Sequence, residues 1–210
     1  MPAVSSSRNS PKSLHELVSA ETLQSMDPRE DLARHSAELV ALVREGDTEA
    51  FRELFALVEP SAYALALAHL GNPEDARDVV QDAALESYRK IDTLRDPTLF
   101  PAWVCGMVRF LSFRRLRRPR ALSLESLAVE PAAALEPSDE GEWDGTALKR
   151  ALFEIPSHYR EVLVLRHMED KGYEEIGALL GLSLAGVDSR LSRARALLRR
   201  RMARLSKERA

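Results

Sequence analysis

One cysteine, Cys105, stands in 210 residues, so no internal disulfide can form and a reducing cytoplasm is the expected compartment. Aromatic residues make up only 6% of the chain, and its 9 glycines and 11 prolines follow no repeat, which excludes collagen-like and low-complexity classes. No apolar run approaches the roughly 18 residues of a membrane span. The opening segment MPAVSSSRNSPKSLHEL lacks the apolar stretch of a secretory signal. There is no phosphate-binding glycine loop, no G-x-S-x-G and no dinucleotide fingerprint. Histidines 15, 35, 69, 158 and 167 share no ligand spacing with Cys105. Catalysis, a metal and a cofactor are therefore not expected.

A surplus of positive charge is also missing, because the chain carries a formal net charge of −3. That total conceals its distribution. Residues 38–108 hold 6 basic against 13 acidic groups, net −7. Arg109, Arg114, Arg115, Arg117 and Arg118 follow with no acid among them. Residues 119–143 carry 1 basic and 6 acidic groups, whereas Ser189–Arg209 carries nine Lys or Arg against Glu208 alone. Phosphates respond to the local field, so two separated basic zones suit a polyanion despite the near-neutral total. The competing explanation is that arginines at helix ends merely complement the helix dipole; nine in the final stretch exceed that need.

The hydrophobic pattern is helical, and no stretch alternates with period two over a strand's length. Residues 1–37, Ser-rich with prolines at 2, 11 and 28, read as a mostly disordered extension with a weak helix near Leu14–Gln24. From Glu38 the periodicity begins. Gly46-Asp47 interrupts it, and Phe51, Leu54, Phe55 and Val58 then mark one helical face. Asn72-Pro73-Glu74-Asp75 is a helix start; Val79, Val80, Ala83, Ala84 and Tyr88 form the expected buried side. A further helix over about Leu99–Arg118 turns Trp103, Met107, Val108 and Leu111 inward, and Pro119 ends it. The acidic Pro/Ala-rich stretch 119–143 reads as a flexible linker. After it come helices over about Gly145–Glu154, from a Ser157 cap to about Met168, from near Gly172, and from Ser183 onward. The expectation is an all-α chain. An extension (1–37) precedes a domain of four helices (38–118), the linker (119–143) and a second helical domain (144–210).

The second domain contains a helix-turn-helix pattern. Gly177 is the small residue at the close approach, Gly181 the turn residue four positions on, and Val187 the apolar residue six further. Ile176, Leu180 and Leu182 fill the space between, and Ser183 caps the second helix. In that helix Val187, Leu191, Ala194 and Leu198 form the inner stripe, while Gly186, Ser189, Arg190 and Arg193 face outward. An outer Arg/Ser stripe suits the DNA major groove; the plainer alternative is a helical hairpin with a solvated basic face.

These residues carry a resemblance. The stretch ALFEIPSHYREVLVLRHMEDKGYEEIGALLGLSLAGVDSRLSRARALLRR resembles region 4 of bacterial RNA polymerase sigma factors, and DARDVVQDAALESYRK with LFPAWVCGMVRFLSFRRLRR resembles region 2. Two such domains with only a short linker between them resemble the extracytoplasmic-function (ECF) subgroup. The resemblance implies a transcription initiation factor that binds core RNA polymerase and recognises promoter −10 and −35 elements. It implies polymerase contacts at Asp78, Val79, Gln81, Asp82 and Leu85. It implies −10 contacts at Arg109, Phe110, Arg114, Arg117 and Arg118, with the loop over about 92–99 holding a flipped base. It implies −35 contacts at Asp188, Ser189, Arg190 and Arg193, and regulation by an anti-sigma factor in many members. The chain departs from the family pattern at Phe110 (usually Asn), Arg114 (often Asp), Ala84 (often Phe), Gly186 (commonly Thr) and Asp188 (commonly Lys or Arg). Two other functions fit the helix-turn-helix: a regulator that binds DNA unaided, and an adaptor that keeps the fold without promoter use.

Overall fold

The computed structural model describes residues 28–117 and 145–209, which form helices, turns and loops with no strand among them. The expected helix near Leu14–Gln24, the linker 119–143 and Arg118 lie outside the described residues. The N-terminal unit comprises α1 (Pro28–Arg44), α2 (Thr48–Ala56), α3 (Glu59–Leu70), α4 (Pro73–Arg89) and α5 (Phe100–Arg117). The C-terminal unit comprises α6 (Gly145–Phe153), α7 (Ser157–His167), α8 (Tyr173–Leu180) and α9 (Leu184–Arg209).

Local chemistry sets most boundaries. Asp47 caps α2 by accepting from the Glu49 and Ala50 amides at 2.9 and 3.1 Å. Asn72 caps α4 by accepting from the Glu74 amide at 2.8 Å, with Pro73 in the first turn. Other boundaries differ from expectation. The first helix starts at Pro28, ten residues ahead of Glu38, and buries Ser36. The N-terminal unit has five helices rather than four, because the run from Phe51 onward breaks at Leu57–Val58 and restarts with Pro60 in the first turn of α3. Ser157 is the first residue of α7 and makes no cap; Pro156 holds that position. Tyr88 is exposed rather than buried, its ring lying edge-on over Phe51 at 5.0 Å.

The centre of the molecule is α3. Its sequence EPSAYALALAHL is apolar on all sides, and Ser61, Ala62, Ala64, Leu65, Ala66, Ala68 and His69 are all buried. A helix without a polar face needs neighbours all round, and its alanines let them approach closely. It packs against α4 and α5 on one side and against α7 on the other, while α8 packs on α5. One hydrophobic core runs through both units, from Leu54, Leu65, Phe100 and Val108 to Ile155, Val162, Ile176 and Leu191.

Candidate polymerase and nucleic-acid interfaces

On α4 the positions 78, 81, 82 and 85 fall at spacings of three and four, so they share one face. Asp78, Gln81, Asp82 and Leu85 are exposed there, and Leu85, at 56%, is an apolar residue among acids. Val79, expected among the polymerase contacts, is instead 1% exposed: its side chain belongs to the core, where it holds α4 in place and is not available to a partner. Asp78 has an internal partner that the sequence did not suggest. Arg115 of α5 reaches across to Asp75 and Asp78, with Nε 3.1 Å from Asp75 and Nη2 2.9 Å from Asp78. These hydrogen bonds hold the Arg115 guanidinium above its usual pKa.

The exposed face of α5 combines rings and cations. Phe110 is 65% exposed, and Arg114 and Arg117, four and seven residues on, are exposed beside it. Phe113 and Leu116 are also exposed, so the outer side offers flat apolar surface interleaved with guanidinium groups. That combination suits unstacked bases on a phosphate backbone. Arg109 differs from its neighbours. It is half-buried and turns toward the C-terminal unit, with Nη1 3.7 Å from Glu161 of α7.

The connection between α4 and α5 is tied down by internal contacts. Two short 3-10 turns, Ile91–Thr93 and Pro97–Leu99, are separated by the buried Leu94. Asp96 accepts from the Thr98 amide at 3.0 Å. Arg44, at the end of α1, donates to the carbonyls of Ile91 and Leu94 at 3.2 and 2.5 Å. A loop pinned from within can present a fixed surface to a base at low entropic cost. Arg44 was not anticipated, since its partners are backbone oxygens about fifty residues away.

In the C-terminal unit, α8 and α9 form the helix-turn-helix. Glu175 accepts from the Gly172 amide at 2.6 Å and closes the start of α8. Gly181 sits at φ +68, the left-handed conformation that ends α8. At Gly177 a Cβ would meet the Leu182 carbonyl oxygen at 2.7 Å. The turn's own backbone, rather than the second helix, is therefore what demands glycine there. Ser183 accepts from the Gly186 amide at 3.2 Å and caps α9. Val187, Leu191 and Ala194 are fully buried and Leu198 half-buried, which sets the inner stripe. Opposite them Asp188 and Arg193 are exposed, and Ser189 and Arg190 half-buried. α9 then continues as a 26-residue helix with Arg201 and Arg204 paired to Glu154 at 3.5 and 2.8 Å.

Between the units lies a seam that the sequence did not reveal. His69 of α3 and Glu161 of α7 are 2.8 Å apart, Nε2 to Oε1, with side chains only 1% and 4% exposed. A carboxylate oxygen only accepts, so His69 Nε2–H is the donor. The Phe113 ring stands edge-on to His69 at 5.0 Å. Phe153 lies so close to Gly71 that a Cβ there would meet its ring at 2.6 Å, and Arg160 stacks over the same ring at 4.2 Å. Burial lowers the Arg160 pKa.

Among the described residues no helix is long and apolar enough to cross a membrane, and no three His, Cys, Asp or Glu are grouped to hold a metal ion.

The comparisons agree with this layout. Residues 54–121 match the family model of sigma-70 region 2, and residues 146–198 that of sigma-70 region 4. The ECF RNA polymerase sigma factor SigM of Mycobacterium tuberculosis is 32% identical over 168 residues, covering 80% of this chain and 84% of that protein. SigW of Bacillus subtilis, also an ECF sigma factor, is 24% identical over 173 residues, covering 76% and 92%. Among solved structures, the sigma factor RpoE of Bartonella quintana, bound to the anti-sigma factor NepR, aligns with a TM-score of 0.54 at 25% identity, covering 74% of this chain and 98% of that one. CnrH in complex with the cytosolic domain of CnrY aligns with a TM-score of 0.56 at 26% identity, covering 78% and 94%. With both regions matched in order and a relative 32% identical over 84% of its length, the chain belongs to the ECF RNA polymerase sigma factors, transcription initiation factors that direct RNA polymerase to promoters.

Proposed function

We propose that this sigma factor divides its work among the surfaces described above. The α4 face of Asp78, Gln81, Asp82 and Leu85 docks on core RNA polymerase, where acids pair with the partner's cations and Leu85 fills an apolar site. Phe110, Arg114 and Arg117, with Arg118 just beyond, engage the −10 element, and the loop between α4 and α5 receives a flipped base. Arg109 joins them once it is released from Glu161. Ser189, Arg190 and Arg193 read the −35 element from the major groove. Asp188 accepts there from a cytosine amino group. The domains that do this are 38–118, extended by the start of α1 at Pro28, and 144–210. The protein acts in the cytoplasm without catalytic chemistry of its own, and an anti-sigma factor holds it inactive until a signal arrives.

The observation that carries this reading is the spatial sorting of charge. The exposed face of α4 that carries Asp78, Gln81, Asp82 and Leu85 holds two acids and no cation, whereas the exposed Arg114 and Arg117 of α5 and Arg193 and Arg195 of α9 form cationic surfaces. Reconstituted transcription with core polymerase tests it. Arg190→Ala with Arg193→Ala should lower initiation at −35-dependent promoters about tenfold or more while core binding persists. Asp82→Arg should weaken core association and leave duplex binding intact; Asp82 is preferable to Asp78, which Arg115 already engages. Loss of core binding in the α9 variant, or full core binding in Asp82→Arg, would contradict the assignment.

A further inference from the structure

We infer that the second half of α9 is an additional DNA-binding surface: an outward row of cations that begins at Arg193 and continues with Arg200 and Lys207 holds the phosphate backbone flanking the −35 element. The inference rests on the reading of the start of α9 as the −35 helix. It carries that reading past residue 198, where the match to region 4 ends.

Length makes the case first. α9 has 26 residues and is therefore about 39 Å long, against a major groove about 12 Å wide. A helix that reads base edges with its first turns has to leave the groove, and its later turns meet the phosphates at the rim. The inner stripe decides which side faces the DNA there. Val187, Leu191, Ala194 and Leu205 are buried. On the opposite side Arg193, Arg200 and Lys207 recur every seven residues, just short of two full turns, and so form a nearly straight row with steps of about 10 Å. Ser189 lies on the same side, one turn before Arg193. Ala196 and Ala203, both exposed, fill the gaps in the row. Their small side chains let a backbone come close while the cations reach over it.

Charge makes the case second, because the fold sorts the cations of this stretch into two sets. Arg201 and Arg204 turn to Glu154 of α6 at 3.5 and 2.8 Å, and with the buried Leu205 they hold the second half of α9 on its own unit. Arg193, Arg195, Arg199 and Arg200 are exposed and have no acidic partner among the described residues. Arg199 does no more than donate to the Arg195 carbonyl at 3.4 Å. The helix dipole does not account for them. Its field acts within the last turn, and these four stand more than two turns before Arg209. Cations lined up on one helix repel one another, and a polyanion relieves that repulsion. An acidic protein surface would offer the same charge, but the row continues the side that reads the −35 element, which favours DNA.

The test uses holoenzyme assembled from core polymerase and the full chain, titrated onto a promoter fragment at several salt concentrations. Each phosphate contact contributes about −0.9 to the slope of log affinity against log salt. Arg200→Gln with Lys207→Gln should therefore flatten that slope by about 1.8, so that the variant's deficit shrinks about tenfold between roughly 50 and 200 mM salt. Glutamine is as good a helix former as the residues it replaces, so the fold is kept. The deficit should be equal on promoters with intact and altered −35 sequences, since phosphates carry no sequence. Hydroxyl-radical footprints should lose protection beside the −35 element. Arg201→Gln, whose charge Glu154 engages, should leave the slope unchanged. An unchanged slope and footprint in the double variant would overturn the inference. So would weakened core binding at an unchanged slope, which would put an acidic protein surface on this row. Arg190→Ala with Arg193→Ala separates the inference from the reading beneath it. If that pair leaves −35 dependence intact, the −35 reading itself fails. If it abolishes −35 dependence while Arg200→Gln with Lys207→Gln changes nothing, only the extension along α9 fails.

Discussion

Helix α5 makes two contacts that look alike and differ in kind. Toward α4 it sends Arg115 to Asp75 and Asp78 at the rim of a contact whose centre is apolar, with Val79, Val104 and Val108 buried beneath. Toward α7 it sends Arg109 to Glu161, which pairs with the buried His69 beside Ala64, Ala68 and Val164. In the first case the hydrophobic core supplies the stability and the ion pair sets register. In the second the polar groups are at the centre, and their desolvation offsets much of what they gain. The first contact therefore belongs to a folded unit, and the second to an association between units.

Three substitutions sharpen that contrast. Phe100→Ala, at a fully buried α5 position, should cost about 4 kcal/mol and collapse the cooperative melting of the N-terminal unit in denaturant titration. Val164→Ala trims the contact of α7 with Ala64 and Ala68 of α3 and should change unit stability by no more than about 1 kcal/mol. It should nevertheless increase the separation of the units measured by small-angle scattering. Arg115→Ala should cost about 1 kcal/mol or less in thermal unfolding and leave the inter-unit distance unchanged, because its partners are part-exposed and lie within the unit. Equal effects of Val164→Ala and Phe100→Ala on unfolding would show the seam to be core and remove the contrast.

Local signals were legible in the sequence wherever a side chain acts on nearby backbone. Asp47, Asn72 and Ser183 cap the helices that they precede, and Gly177, Gly181 and Val187 stand where a helix-turn-helix needs them. The all-helical class followed from periodicity, and the family from the motifs. Contacts between distant segments were not legible. Arg115 read as one more cation in a basic run, yet its partners stand about forty positions earlier. Val79 shares the sequence neighbourhood of the exposed acids, but its turn of the helix points into the core. The seam left one trace, the absence of a polar face on α3, which calls for neighbours on both sides without naming them. His69 and Glu161 are 92 positions apart, and nothing in the spacing of either announces the other.

The central claim is that this chain confers promoter choice on a polymerase, rather than binding DNA on its own account. Start-site mapping of transcription reconstituted from core RNA polymerase and fragmented genomic DNA, with and without the protein, tests it most directly. Discrete new start sites that depend on the protein are expected, preceded by one shared pair of −10 and −35 sequences and lost with Arg190→Ala and Arg193→Ala. The same start sites with and without the protein, together with a tight duplex footprint in the absence of polymerase, would contradict it.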